Sequence, residues 1–143
     1  MASRRKAREL ALQMLFQCDL GGETPTHVVS TFLEFQKVDP ETAAFARSLL
    51  EGCWLKKPEI DRLVREHAEH WRLERMAAVD RNILRLALYE MLYLSENPPA
   101  VVINEALELA RRFSTGESVE FVNGVLDAVR RNVFPASSSP HKV

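Results

Sequence analysis

Two cysteines in 143 residues, with no CxxC spacing, offer neither a disulfide framework nor a thiolate metal site. Cys18 and Cys53 instead read as small core residues carrying free thiols. No apolar run approaches the ~20 residues of a membrane span. The basic start is not followed by a signal-like apolar segment and cleavage site, which points to a cytoplasmic protein. Net charge is −1, so no global attraction to nucleic acid follows from composition. There is no P-loop, no GxGxxG, no GxSxG and no HExxH. His67 and His70 lie three apart, with Glu66 and Glu69 beside them, but metal binding needs more ligands in space, and a solvated charged face is the simpler reading. Asp80 and Glu90 are ten apart on one helix, ~15 Å along its axis, too far for joint acid–base work. The chain reads as non-enzymatic, with no catalytic residue, no cofactor and no metal.

What is present is helical periodicity nearly throughout. The apolar share is 46% and the charged share 27%, ordinary for one globular domain. Ser3 caps a first helix with the stripe Ala7, Leu10, Ala11, Met14, Leu15 and Cys18, and Gly21-Gly22 ends it. Thr24-Pro25 and Asp39-Pro40 are cap-then-proline starts. The second helix buries Val28, Val29, Phe32 and Leu33; the third buries Ala43, Ala46, Leu49, Leu50 and Cys53. Pro58 opens a fourth, with Ile60, Leu63 and Val64 inward. Residues 76–95 are apolar on nearly every side, the mark of a central helix. Asn97-Pro98-Pro99 stops it. A sixth helix turns Ile103, Ala106, Leu107, Ala110 and Phe113 inward. A seventh, capped by Ser118, turns Phe121, Val122, Val125, Leu126 and Val129 inward.

Asn123-Gly124 resembles a hairpin turn, but no alternating strands flank it. The helical pattern continues through, so Gly124 reads as a buried position where a neighbouring helix approaches closely. The class is all-α: about seven helices in two packed antiparallel bundles, at about residues 1–57 and 58–134, forming one domain over 1–134. Residues 135–143 are Ser/Pro-rich and read as a disordered tail.

Charge is uneven despite the neutral total. Arg4, Arg5, Lys6 and Arg8 crowd the first turns, and no acid precedes Glu9. They sit beside the free amides and positive dipole of a helix start, a combination that attracts phosphate. Guanidinium groups also stack on unpaired bases. Nucleic-acid contact and a plain solvated helix start both fit. Four charges would give a single-strand salt slope of about −3, hence modest, salt-sensitive binding. Leu12 and Phe16 lie off the main stripe, on the side of Arg5 and Arg8, as partner contacts or as a second core contact. Asp80 and Arg81 open the central helix on its polar side. Asn104 and Glu105 read as members of a structural hydrogen-bond network with Arg85 or Asn123, with ligand contact as the alternative.

The run Phe121-Val122-Asn123-Gly124-Val125-Leu126-Asp127, with Val102-Ile103-Asn104-Glu105-Ala106-Leu107-Glu108-Leu109-Ala110, resembles the motifs of the NusB family of transcription antitermination factors. Asp80-Arg81-Asn82-Ile83-Leu84-Arg85-Leu86-Ala87-Leu88-Tyr89-Glu90 is similar to that family's central helix. Arg5-Lys6-Ala7-Arg8-Glu9-Leu10-Ala11-Leu12-Gln13 is similar to its arginine-rich start. Four blocks in order across residues 5–127 are specific where one would not be.

The resemblance implies the two-bundle fold and an RNA-binding surface for single-stranded boxA-like RNA at Arg4, Arg5, Lys6 and Arg8, with Glu117 near the RNA path. It implies a partner surface at Leu12, Phe16, Asp80 and Arg81 for NusE, the small-subunit ribosomal protein that doubles as a transcription factor. The pair would join an RNA polymerase antitermination complex on nascent ribosomal RNA transcripts. Some family members also form a homodimer. The alternatives are a module assisting ribosomal RNA modification, for which this chain would need a separate enzyme, and a helical scaffold that contacts only protein.

Overall fold

The computed structural model describes residues 3–68 and 72–134. Seven α-helices and no strand occur among them: α1 (Arg4–Gly21), α2 (Pro25–Thr31), α3 (Pro40–Leu55), α4 (Lys57–His67), α5 (Ala78–Tyr93), α6 (Pro99–Phe113) and α7 (Gly116–Val133). Their starts are local chemistry. The Ser3, Thr24 and Asp39 side chains accept from the backbone N–H of Lys6, His27 and Thr42, at 3.2, 3.2 and 2.8 Å. Each satisfies an amide that the first helical turn leaves open. Gly22, at φ 68°, closes α1 in the left-handed conformation that glycine adopts freely. The second helix is shorter than its pattern implies. It stops at Thr31, and Leu33–Phe35 form a separate 3-10 turn that still buries Leu33.

α5 is the central helix. α1, α3, α4, α6 and α7 all pack against it. Ile83, Leu84, Leu86 and Leu88 are all but sealed from solvent, which is why its apolar residues mark no single face. α1 pairs with α3, and α6 with α7. The Ser3 backbone N–H also donates to Thr42 Oγ1 at 2.8 Å, holding the starts of α1 and α3 together.

The buried polar groups of α5 join separate helices. Arg85 donates from Nε and Nη2 to Asp61 of α4, at 2.8 and 3.1 Å, and from Nη1 to Asp19 of α1 at 3.0 Å. Burial opposes its charge, but the Asp61 and Asp19 carboxylates outweigh that and hold it protonated. Asn104 and Asn123 take no part in this network; both are exposed.

The close helix approach that the sequence assigns to Gly124 lies elsewhere. Gly124 is exposed, and a Cβ there would meet nothing within 4 Å, so it is not a close-approach site. The face of α7 that carries Val122, Val125, Leu126 and Val129 does the packing, and Gly124 falls off it. The close approach is at Gly52 in α3, where a Cβ would collide with the ring and hydroxyl of Tyr89. Phe113 likewise ends α6 exposed instead of inward. Thr115, not Ser118, caps α7, accepting from the Ser118 N–H at 3.2 Å.

Candidate nucleic-acid and partner interface

The basic residues at the start of α1 are not a free cluster of charge. Arg4 stacks on the Phe45 ring, 3.9 Å from its centroid, and pairs with Glu96 at 3.1 Å. Arg5 reaches α6, donating from Nε and Nη2 to the two oxygens of Glu105 at 3.3 and 3.0 Å. Lys6 is exposed, its Nζ 4.0 Å from Glu9. Arg8 turns inward. It donates to both oxygens of Glu90 at 2.7 and 2.9 Å and lies 3.7 Å from Glu105. Burial opposes the Arg8 charge, yet the hydrogen bonds and charge of Glu90 more than compensate. Arg8 is therefore only 4% exposed, its guanidinium held by Glu90 and facing Glu105. A helix start four residues deep has a buried side, and position 8 falls on it with Ala7 and Ala11.

Of the three cations left outside, Arg4 and Arg5 carry a carboxylate partner from the loop after α5 and from α6. Arg5 holds the Glu105 carboxyl below the usual carboxylate range, and Glu105 in turn raises Arg5. Guanidinium edges held by carboxylates have the geometry that phosphate oxygens also fit.

Further along α1 the surface becomes apolar. Leu12, Gln13, Phe16 and Gln17, with Val79 of α5 and Phe113 of α6, line an open groove of about 270 Å³. Leu12 is buried at its floor, while Phe16 (36% exposed) and Phe113 (37%) stand on its rim. Phe16 is thus a rim aromatic, neither core nor fully solvated. The two stretches meet at Arg112, which pairs with Glu9 and lies over the Phe113 ring, 5.3 Å from its centroid. One continuous face, made by α1 and the end of α6, runs from exposed cations to an apolar groove.

Asp80 and Arg81 do not line this groove, and neither is a free surface charge. Asp80 is buried and accepts from the Ser114 and Ser118 hydroxyls, each at 2.7 Å, fastening the turn between α6 and α7 to the start of α5. Arg81 donates to Asp19 at 2.6 Å and joins the Arg85 network. Both positions looked polar in the α5 pattern because they are charged, but each is satisfied by residues distant in sequence. Exposed Glu117 shares a cavity of about 310 Å³ with Met76, Ala77, Asp80, Thr115, Ser118 and Phe121.

Sequence reasoning did not bring out Glu90, Glu96, Val79, Arg112 or Phe113 as members of this face. Arg112-Phe113 carried a usable signal, a cation beside an aromatic at a helix end. The acids carried none, because their partners are fixed only by the tertiary fold. His67 faces the Leu63 carbonyl and Asn132, both at 2.9 Å; its sequence neighbour His70 lies outside the described residues. Among the described residues, no group of three or more metal-ligating side chains converges. No helix among them is long and apolar enough to cross a membrane.

Among the described residues, fold and face together give seven α-helices and no strand, with a carboxylate-buffered cationic tip and an adjoining apolar groove. The NusB family model matches residues 5–131. The chain is 54% identical over 132 residues to the transcription antitermination protein NusB of Koribacter versatilis, covering 92% of this chain and 90% of that protein. It is 46% identical to the NusB of Symbiobacterium thermophilum, over 99% of this chain and 97% of the relative. The structure superposes on T. maritima NusB with TM-score 0.84 at 35% identity, over 92% and 93% of the two chains. It also superposes, with TM-score 0.83 at 28% identity over 90% and 96%, on a chain in the crystal structure of the antitermination factors NusB and NusE in complex with double-stranded RNA. The chain belongs to the NusB family.

Proposed function

We propose that this protein is a non-enzymatic RNA-binding antitermination factor. It pairs with NusE on boxA-like RNA of nascent ribosomal RNA transcripts, and the assembly keeps RNA polymerase elongating. The observation that carries the reading is the continuous face of α1 and the end of α6, cationic at one end and apolar at the other. Arg4, Arg5 and Lys6 form the phosphate-contacting end. Arg8 supports them from beneath through Glu90 and Glu105. Phe16 and Phe113, over Leu12 and Val79, take an apolar side chain of NusE. Asp80 and Arg81 serve the partner surface indirectly, by fixing the α6–α7 turn and the start of α5, and Glu117 lies beside the RNA path.

Three outer cations, each already beside a carboxylate, give weak RNA binding alone; phosphate contacts set the affinity and its salt dependence. A partner seated in the adjoining groove extends the contact surface. The test is a salt-titrated binding assay with a boxA-like single strand, a scrambled strand and a duplex, each with and without NusE. Binding that prefers the boxA-like strand and tightens with NusE supports the reading. Identical, NusE-independent binding to all three contradicts it.

A further inference from the structure

Glu105 stands between two arginines of α1. It accepts two hydrogen bonds from Arg5, at 3.3 and 3.0 Å, and its Oε1 lies 3.7 Å from Nη1 of Arg8. The arrangement is lopsided. Arg8 is already satisfied by both oxygens of Glu90 inside the protein, whereas Arg5 is exposed and, among the described residues, hydrogen-bonds to the carboxylate of Glu105. The two oxygens of Glu105 sit on the Nε–Nη2 edge of Arg5, the edge that two phosphate oxygens would grip. The side chain of Glu105 is 20% exposed, so its carboxylate meets solvent beside Arg5.

We propose that Glu105 is an internal stand-in for phosphate, which occupies Arg5 when RNA is absent and sets how selective the cationic tip is among polyanions. This inference rests on the RNA-binding reading of the tip. A phosphate that takes Arg5 must displace Glu105, which is then left beside Arg8, a guanidinium that Glu90 already holds. The exchange carries an electrostatic cost: Arg5 passes from one anion to another, while Glu105 is left with a guanidinium that Glu90 has already neutralised. A ligand that offers only charge gains little from it, because Arg5 is already neutralised. A ligand held by further contacts, through bases or through a partner in the groove, gains enough to drive it. Glu105 therefore weakens non-specific binding more than specific binding, which is discrimination by a built-in competitor. Arg5 is meanwhile kept extended and oriented, so little side-chain ordering remains when the phosphate arrives.

The decisive variant is Glu105→Gln, which keeps the shape and removes the charge. RNA affinity is measured for the parent, Glu105→Gln, Arg5→Gln and the double variant, with boxA-like and scrambled single strands. Glu108→Gln, which removes a carboxylate one turn along α6 that pairs with Arg111, supplies the general effect of one negative charge lost. Exposed pairs of this kind correspond to about two- to fivefold in binding. The proposal expects Glu105→Gln to tighten binding by about that factor and by more than Glu108→Gln does. The gain is larger for the scrambled strand and vanishes when Arg5 is also Gln. A gain that persists without Arg5, or that matches Glu108→Gln, makes Glu105 a general repulsive charge and overturns the proposal. Weaker binding by Glu105→Gln also overturns it, since Glu105 would then serve only to orient Arg5. A parent protein that binds no RNA, alone or with NusE, defeats the functional reading itself and this inference with it.

Discussion

Arg8 and Glu90 form a two-pronged ion pair, Nε to Oε2 at 2.7 Å and Nη2 to Oε1 at 2.9 Å, between side chains 82 residues apart and both withdrawn from water. The pair separates two neighbouring arginines of one motif into different jobs. Arg5 faces outward for contact; Arg8 locks α1 to the central helix.

Arg8→Gln leaves the Glu90 carboxylate buried without its cation. Breaking one side of a buried pair costs about 3–5 kcal/mol. Urea unfolding of Arg8→Gln should show a loss of that size, while Arg5→Gln melts at the parental temperature. Equal stability of both variants would mean that the Arg8 pair is open in solution.

Asp80 at the start of α5 is a fastening. Asp80→Ala strands the Ser114 and Ser118 hydroxyls, a loss of about 1–3 kcal/mol. Hydrogen exchange of amides 114–118 should accelerate more than that of α3. Asp80→Lys should destabilise further, by burying a cation in place of the acceptor. Parental exchange rates in that turn would show that Asp80 does not hold it.

Two alanine substitutions should act in opposite directions. Gly124→Ala fills open space on an exposed helix and should stabilise by about 0.5–1 kcal/mol, because glycine loses more backbone entropy than alanine. Gly52→Ala drives a methyl group into Tyr89 and should destabilise by about 1–3 kcal/mol. Thermal melts of the pair that moved the same way would remove Gly52 as the close-approach site.

Burial alone would raise the Asp19 carboxyl, but hydrogen bonds from Arg81 and Asn82 and the charge of Arg85 outweigh it and hold it below its ordinary value. A depressed folded value means that the unfolded chain takes up the proton first as pH falls. The stabilisation is therefore complete above the unfolded value of about 3.9 and lost as pH falls through the folded one. Asp19→Asn should be destabilised at pH 7, and the gap to the parent should narrow as pH falls below the unfolded value of about 3.9. A gap that stays constant as pH falls would mean that Asp19 is not ion-paired.

The readable parts of this fold are those that short-range chemistry decides. Ser3, Thr24 and Asp39 cap helices because each bonds an amide three residues on, a distance visible in sequence. The all-round apolar pattern of α5 marked it as central because burial on several sides leaves no polar stripe. The family motifs carried the rest of the identification. Arg8 and Asp80 were not legible, since a charged residue at a helix start looks solvated until Glu90, Ser114 and Ser118 arrive from elsewhere in the chain. Gly124 misled because it belongs to a motif. Gly52 went unread, although a lone glycine deep in a helical pattern needs a packing reason; its partner Tyr89 arrives only with the tertiary fold.

The coupling between RNA and NusE tests the account most directly. It is measured as boxA-like RNA affinity at fixed salt, with and without saturating NusE, for the parent and for Phe16→Asp. The account predicts tighter RNA binding with NusE, by a coupling of roughly 1–3 kcal/mol, with NusE affinity raised equally by RNA. Phe16→Asp should abolish the effect while remaining folded, because Phe16 stands on the groove rim. RNA affinity that NusE leaves unchanged in the parent would contradict the reading of this face as a joint RNA and partner surface.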